Sequence, residues 1–179
     1  KTNQDMFKLT LLTVLISAVG LQFPPSFDAE WKTLKEKNYT IQYPNDWELN
    51  QSGTMGVSFI LLSPLSSEKD AFRENVNLMI QDISAHNLDL DSYAKLSTGQ
   101  IETMITDGKL ISNERLKQNG REYQKVIYSG KQGIYDLKFE QFYWVIQGNA
   151  YVLTLTCEAG QFEAYKNAGE KVLNSFILN

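Results

Sequence analysis

Residues 137–147 read LKFEQFYWVIQ, and the order of apolar side chains in this stretch decides the architecture. Successive side chains of an extended strand point to opposite faces. Leu137, Phe139, Tyr143 and Val145 therefore fall on one side, and Phe142, Trp144 and Ile146 on the other. Both faces seek burial. An antiparallel sheet covered on one side only would alternate apolar with polar residues, so this strand requires cover above and below. The fold class that follows is α+β: a helix/sheet/helix sandwich around a roughly six-stranded antiparallel sheet.

The flanking segments supply the other strands and the covering helices. AYVLTLTCEA (150–159) follows through Gly148 and Asn149 as a hairpin partner. KLISNERLKQ (109–118) and REYQKVIYSG (121–130) flank Asn119-Gly120, the strongest short hairpin signal. YTIQYPNDWEL (39–49) begins as an alternating strand with Tyr39, Ile41 and Tyr43 on one face, and Pro44 ends it. VSFILLSP (57–64) and NVNLMIQDIS (75–84) are two further strands. The period then changes from 2 to about 3.6. In DSYAKLSTGQIETMIT (91–106), Tyr93, Leu96, Gln100, Ile101, Met104 and Ile105 share one helical face, Asp91 is placed to cap the first turn, and Gly108 ends the helix. QFEAYKNAGEKVLNSF (161–176) carries a second stripe through Phe162, Tyr165, Gly169, Val172, Leu173 and Phe176. AEWKTLKEK (29–37) reads as a short helical lead into the first strand.

Composition narrows the function classes. The 179 residues are 42% hydrophobic, enough for one domain with a real core, and the net charge is -4. The lysines are scattered among carboxylates, so no basic stripe is present for a phosphate backbone, and nucleic acid is excluded as a partner. A single cysteine, Cys157, and a single histidine, His86, make an internal disulfide impossible and a Cys/His zinc site within one chain implausible. No cofactor is implied.

At the amino terminus, Lys1 and Lys8 precede an uncharged run from Leu9 to Phe27. Its most apolar part, Leu9 to Val19, has the length of a signal-peptide core and is short of a membrane span. Ala18 and Gly20 are small, as cleavage after Gly20 requires; Asp5 is an unusual early charge. The expected organisation is an export signal or apolar amino-terminal segment at 1–20, a lead-in at 21–36 and a single domain at 37–179. Leu21 and Gln22 stand where a lipid-attachment cysteine would follow the apolar run, so the expected product is exported, periplasmic or extracellular, without a lipid-anchor cysteine. The alternative keeps the segment as a buried or membrane-lying helix.

YTIQYPNDWEL, FRENVNLMIQDIS (72–84) followed by LDLDSYAKLS (88–97), and AYVLTLTCEAGQFEAYKNAGEKVLNSF (150–176), in that order and spacing, resemble the PsbP-like fold family. The resemblance runs over residues 37 to 178; the exported, acidic character is most similar to the bacterial branch that includes the DcrB-type exported proteins, and the missing lipid-attachment cysteine departs from a close DcrB match. It implies the same sandwich and a non-catalytic accessory or binding protein that attaches to larger assemblies. It brings no catalytic residue set.

The residues themselves offer little overt chemistry. No GxSxG elbow or glycine-rich phosphate loop is present, His86 is the only imidazole base, and carboxylates such as Glu102 and Asp107 would need a cleft to raise one pKa, so no enzyme is expected. The leading expectation is a monomer that presents loops to a protein partner, membrane-associated or in the envelope. Loop 84–91 with the polar connection 66–74 is the candidate surface, and Arg73, His86 and Asp89 are its candidate contacts. Alanine at these three positions is expected to leave stability nearly unchanged. The alternative is a carrier or chaperone whose concave aromatic surface, with Trp47 and Trp144, holds a lipid-like molecule or apolar peptide. Asp82 and Asp89 are the weak candidates for a hard cation, but LDLD (88–91) lacks the glycine and downstream glutamate of a calcium loop. Cys157, among Leu153 and Leu155, reads as a small buried hydrophobe.

Overall fold

The computed structural model describes residues 30–179; the expected export signal and most of the lead-in lie outside the described residues. In chain order the elements are β1 (Trp31–Lys35), β2 (Tyr39–Pro44), β3 (Glu48–Asn50), β4 (Val57–Leu62), β5 (Asn75–Asp82), α1 (Leu90–Met104), β6 (Thr106–Gln118), β7 (Arg121–Gln132), β8 (Tyr135–Ile146), β9 (Asn149–Glu158), α2 (Phe162–Asn174) and β10 (Ile177–Leu178). A seven-stranded sheet runs β3-β4-β5-β9-β8-β7-β6 and a three-stranded one runs β1-β2-β10. All neighbours are antiparallel.

The two faces of β8 do what its sequence asks. Phe142 and Trp144 belong to a core closed by α2 and the small sheet, together with Ile41, Leu61, Leu155, Val172 and Phe176. Leu137, Phe139 and Tyr143 belong to a second core, on the other face, closed by α1 through Tyr93 and Ile101. Helix α2 lies close on β9 because position 169 is glycine: a Cβ there would come within 2.5 Å of a Leu155 methyl. At the β6–β7 turn both Asn119 (φ 51°) and Gly120 (φ 78°) take the left-handed conformation of a tight hairpin turn, which glycine and asparagine tolerate best.

Four local readings are corrected. AEWKTLKEK is not helical: β1 pairs with β2 from Trp31↔Pro44 to Lys35↔Thr40, and only Leu34 of the strand is fully buried. The alternation of charge mimics a helix, but the neighbouring strand satisfies this backbone. The cap of α1 is Asp89, whose side chain accepts from the Ser92 N–H at 2.8 Å, while Asp91 sits in the first turn and pairs with Arg115. The buried face of α1 is Tyr93, Ala94, Ser97 and Ile101; Leu96 and Met104 are about half exposed, because the small Ala94 and Ser97 let the helix settle on the sheet at that angle. The helix is over at Met104, and Gly108 is already inside β6.

Candidate functional site

The structure separates the two loops that were expected to act together. Segment 66–74 enters β5 and segment 83–89 leaves it, so the eight residues of the strand stand between them. At about 3.3 Å per residue that is a distance of about 26 Å. Arg73 lies at one end of the sheet and His86 and Asp89 at the other.

Arg73 is built into the scaffold. Its guanidinium donates to the Ser63 carbonyl at 2.5 Å and the Leu62 carbonyl at 3.1 Å, and pairs with Glu48 at 2.7 Å; the side chain is 11% exposed. These contacts close the neck of the loop that the backbone bond Ser63 N–H to Glu74 carbonyl (2.8 Å) also closes. Arg73→Ala should therefore cost about 2 kcal/mol in urea unfolding, in contrast to the neutrality expected of a surface residue. Asp89→Ala should lower the melting temperature by about 2–4 °C through loss of the cap.

At the far end of β5, Asp82 accepts from the Ser84 N–H (2.9 Å), Ile83 is buried, and a single 3-10 turn, Ser84–His86, exposes His86. The Ile83 N–H donates to the Gly148 carbonyl at 2.8 Å, which holds this turn against the β8–β9 hairpin. Hydrogen bonds from Ser84 hold the Asp82 carboxyl below the usual range, and the bonds from Ser92 do the same for Asp89. Each is tied to its own turn. Among the described residues no three carboxylate, imidazole or thiol groups converge to hold a metal.

The same end carries two recesses. One, about 240 Å³, lies between the β6–β7 tip at Asn119 and Arg121 and the C-terminal segment at Phe176 and Ile177, with Trp144 also lining it. The other, about 400 Å³, is lined by Leu90, Arg115, Arg121, Glu122, Val145 and Ile146. Arg115 bridges α1 to the hairpin, pairing with Asp91 and Glu122 and donating to Gln124 at 2.9 Å. Neither Arg115 nor Arg121 stands out in the sequence, because only the projection of the hairpin beside β8 gives them a recess to line.

Trp47 and Trp144 are 5% and 3% exposed, inside the first core. Trp144 stacks on Tyr123 (5.4 Å between centroids) and tilts against Phe176 (5.2 Å). The turn that returns Trp47 to the core is closed by its N–H on the Pro44 carbonyl at 3.1 Å.

Sequence reasoning missed two buried acids. Glu74 is 2% exposed and lies on the α2 face of the sheet, next in register to Asn75↔Thr156 and so opposite Cys157. Among the described residues nothing hydrogen-bonds its Oε1. Burial, with Asp70 and Glu158 adding repulsion, pushes its carboxyl up from 4.5 to about 7. Cys157 is fully buried, and burial pushes its thiol far above the ordinary value, so it is inert as a nucleophile. Glu140, on the same face of β8 as Phe142, is fully buried and meets Lys125 at 2.8 Å, with Glu170 of α2 3.2 Å from the same ammonium. Burial raises the Glu140 carboxyl although Lys125 opposes it. Its parity with Phe142 and Trp144 was the available signal. Glu102 and Asp107 form no acid/base pair: Asp107 pairs with Lys131 at 3.0 Å.

No family model matches the chain, and no curated protein matches it. Solved structures do. Cyanobacterial PsbP (CyanoP) from Synechocystis superposes with a TM-score of 0.62 at 16% identity, over 92% of this chain and 99% of its own. LpqN, involved in cell envelope biogenesis of Mycobacterium tuberculosis, gives 0.61 at 11% identity, over 85% and 92%. A Pseudomonas aeruginosa protein of unknown function, PA94, gives 0.60 at 14% identity, over 82% and 96%. No helix of the described residues is long and apolar enough to cross a membrane. Identities this low carry the architecture and nothing finer, and the architecture they carry is the one built above: the chain has the PsbP-like fold.

Proposed function

We propose that this chain is a non-catalytic, exported accessory module that docks, as a monomer, on a membrane-associated or envelope protein complex. The docking surface is the end of the large sheet formed by loop 83–89, the β6–β7 tip and the β8–β9 turn. One observation carries the reading: the large aromatic side chains are packed into the two cores, while loop 83–89, the β6–β7 tip, the β8–β9 turn and two recesses lie together at one end of the sheet. The likeness to CyanoP and to LpqN, the latter involved in envelope biogenesis, supports an accessory role. The carrier reading needs Trp47 and Trp144 on an open wall, and their burial disfavours it.

The test is affinity capture from envelope extracts with the tagged full chain, with proteins and co-purifying lipids both identified by mass spectrometry. A reproducible complex that His86→Ala weakens and Lys69→Ala, at the opposite end, leaves intact supports the proposal. A bound lipid or apolar peptide without such a complex moves the assignment to a carrier.

A further inference from the structure

We propose that Glu74 is a proton latch on the loop that joins β4 to β5: with its carboxyl protonated the loop stays shut against the end of the sheet, and loss of the proton frees the loop to open while the strands and helices stay folded. The latch lies at the end of the sheet away from the docking surface and does not rest on the docking reading. The loop is tied down at three other places. At its neck the Ser63 N–H donates to the Glu74 carbonyl at 2.8 Å, and Arg73 holds the carbonyls of Leu62 and Ser63. At its tip Asp70 accepts from Ser66 and from the Phe72 N–H, a turn closed on itself. Between them Leu65 and Phe72 are buried, Phe72 against the Tyr135 ring at 5.1 Å between centroids.

Glu74 is the tie that a proton can change. Its carboxyl accepts from its own N–H and from the Glu158 N–H, which joins the last residue of the loop to the end of β9. The groups that face it are Asp70 from the loop, Cys157 and Glu158 from β9, and Tyr165 from α2. None of them is a cation. Arg73, next in sequence, turns away to Glu48, and Lys138, in register with Cys157, is held by Glu163 at 3.3 Å. An ionised carboxyl at 74 is therefore buried, unpaired and repelled, a state that an opened neck relieves by admitting water. Burial raises this carboxyl from 4.5 to about 7. Opening of the loop then becomes about tenfold easier for each pH unit between those two values and levels off above the higher one. Local openings of this kind cost less than global unfolding. Opening carries Leu65 and Phe72 out of the core, so the latch governs when two apolar side chains meet solvent.

The experiment is amide hydrogen exchange of the folded full chain, read residue by residue by nuclear magnetic resonance from about pH 5 to about pH 8, with each rate divided by the intrinsic rate at that pH. The informative amides are Ser63 and Glu158, which bond to Glu74 itself, and the reference amides are those of β8. Ser63 and Glu158 should exchange about tenfold or more faster than β8 at every pH, the mark of a local opening, and should lose protection by about thirtyfold or more across the range. In Glu74→Gln, whose fold the same spectra verify, that loss should shrink below about threefold. Protection at Ser63 and Glu158 equal to that of β8 would mean that the loop opens only by global unfolding, and would overturn the latch. So would protection that does not change with pH, or a loss that Glu74→Gln keeps. The parent profile decides alone if the variant does not fold, since the first two of these results need no variant.

Discussion

Trp144→Ala should lower the unfolding free energy by about 3–5 kcal/mol, the cost of emptying a buried aromatic site. The residue is 3% exposed and touches the rings of Tyr123, Phe142 and Phe176, from a neighbouring strand, its own strand and the segment after α2. Those rings belong to separate elements and cannot all follow one another into the void. Domains of this size are stable by about 5–15 kcal/mol, so the loss removes a large share of the total. Urea unfolding followed by circular dichroism measures it. If Trp144 instead formed the wall of an open groove, its replacement would change stability by less than about 1 kcal/mol.

Glu74→Gln should make the protein more stable at pH 8 and remove a pH dependence that the parent shows. In the unfolded chain this carboxyl titrates near 4.5 and in the folded chain near 7. Below the lower value both states hold the proton, and burial costs the folded state nothing extra. Between the two values the unfolded chain releases its proton first, so stability falls as pH rises, by about 1.4 kcal/mol per unit. Above the folded value the loss is complete, at about 3 kcal/mol. Glu140 and Glu158 are also raised, so a residual slope of the same sign remains in the variant. The difference between parent and Glu74→Gln isolates Glu74: near zero at pH 4 and about 3 kcal/mol at pH 8. A difference that does not change with pH would mean the carboxyl is solvated in the folded protein.

The sequence announces the fold where a local pattern and a tertiary need coincide. The two apolar faces of residues 137–147, the Asn119-Gly120 turn and the stripe of α2 are each visible within a few residues, and each is found as expected. β1 was misread because Lys32, Lys35 and Glu36 sit at spacings a helix would also use; what makes Trp31–Lys35 a strand is its pairing with β2. β10 is two residues long and exists only because β2 offers it an edge.

The candidate site was less legible, for a similar reason. That 66–74 and 84–91 cannot share a surface was readable in principle, since a strand of eight residues joins them. That Arg73 turns inward to the carbonyls of Leu62 and Ser63 was not, because those partners lie ten and eleven positions away across a loop whose closure no short-range pattern records. Glu74 reads as the charged end of a polar loop, and its burial comes from β9 and α2, contributed by residues far along the chain.

The measurement that bears most directly on the docking claim is a photo-crosslinking scan of the full chain in the cells that make it. A photoreactive side chain is placed in turn at positions 86, 119 and 147 at one end of the sheet, and at 68, 134 and 160 at the other. The account predicts discrete protein adducts of one common partner from the first three positions and none from the second three. Adducts from 68, 134 and 160 alone, or lipid adducts from all six, would contradict it.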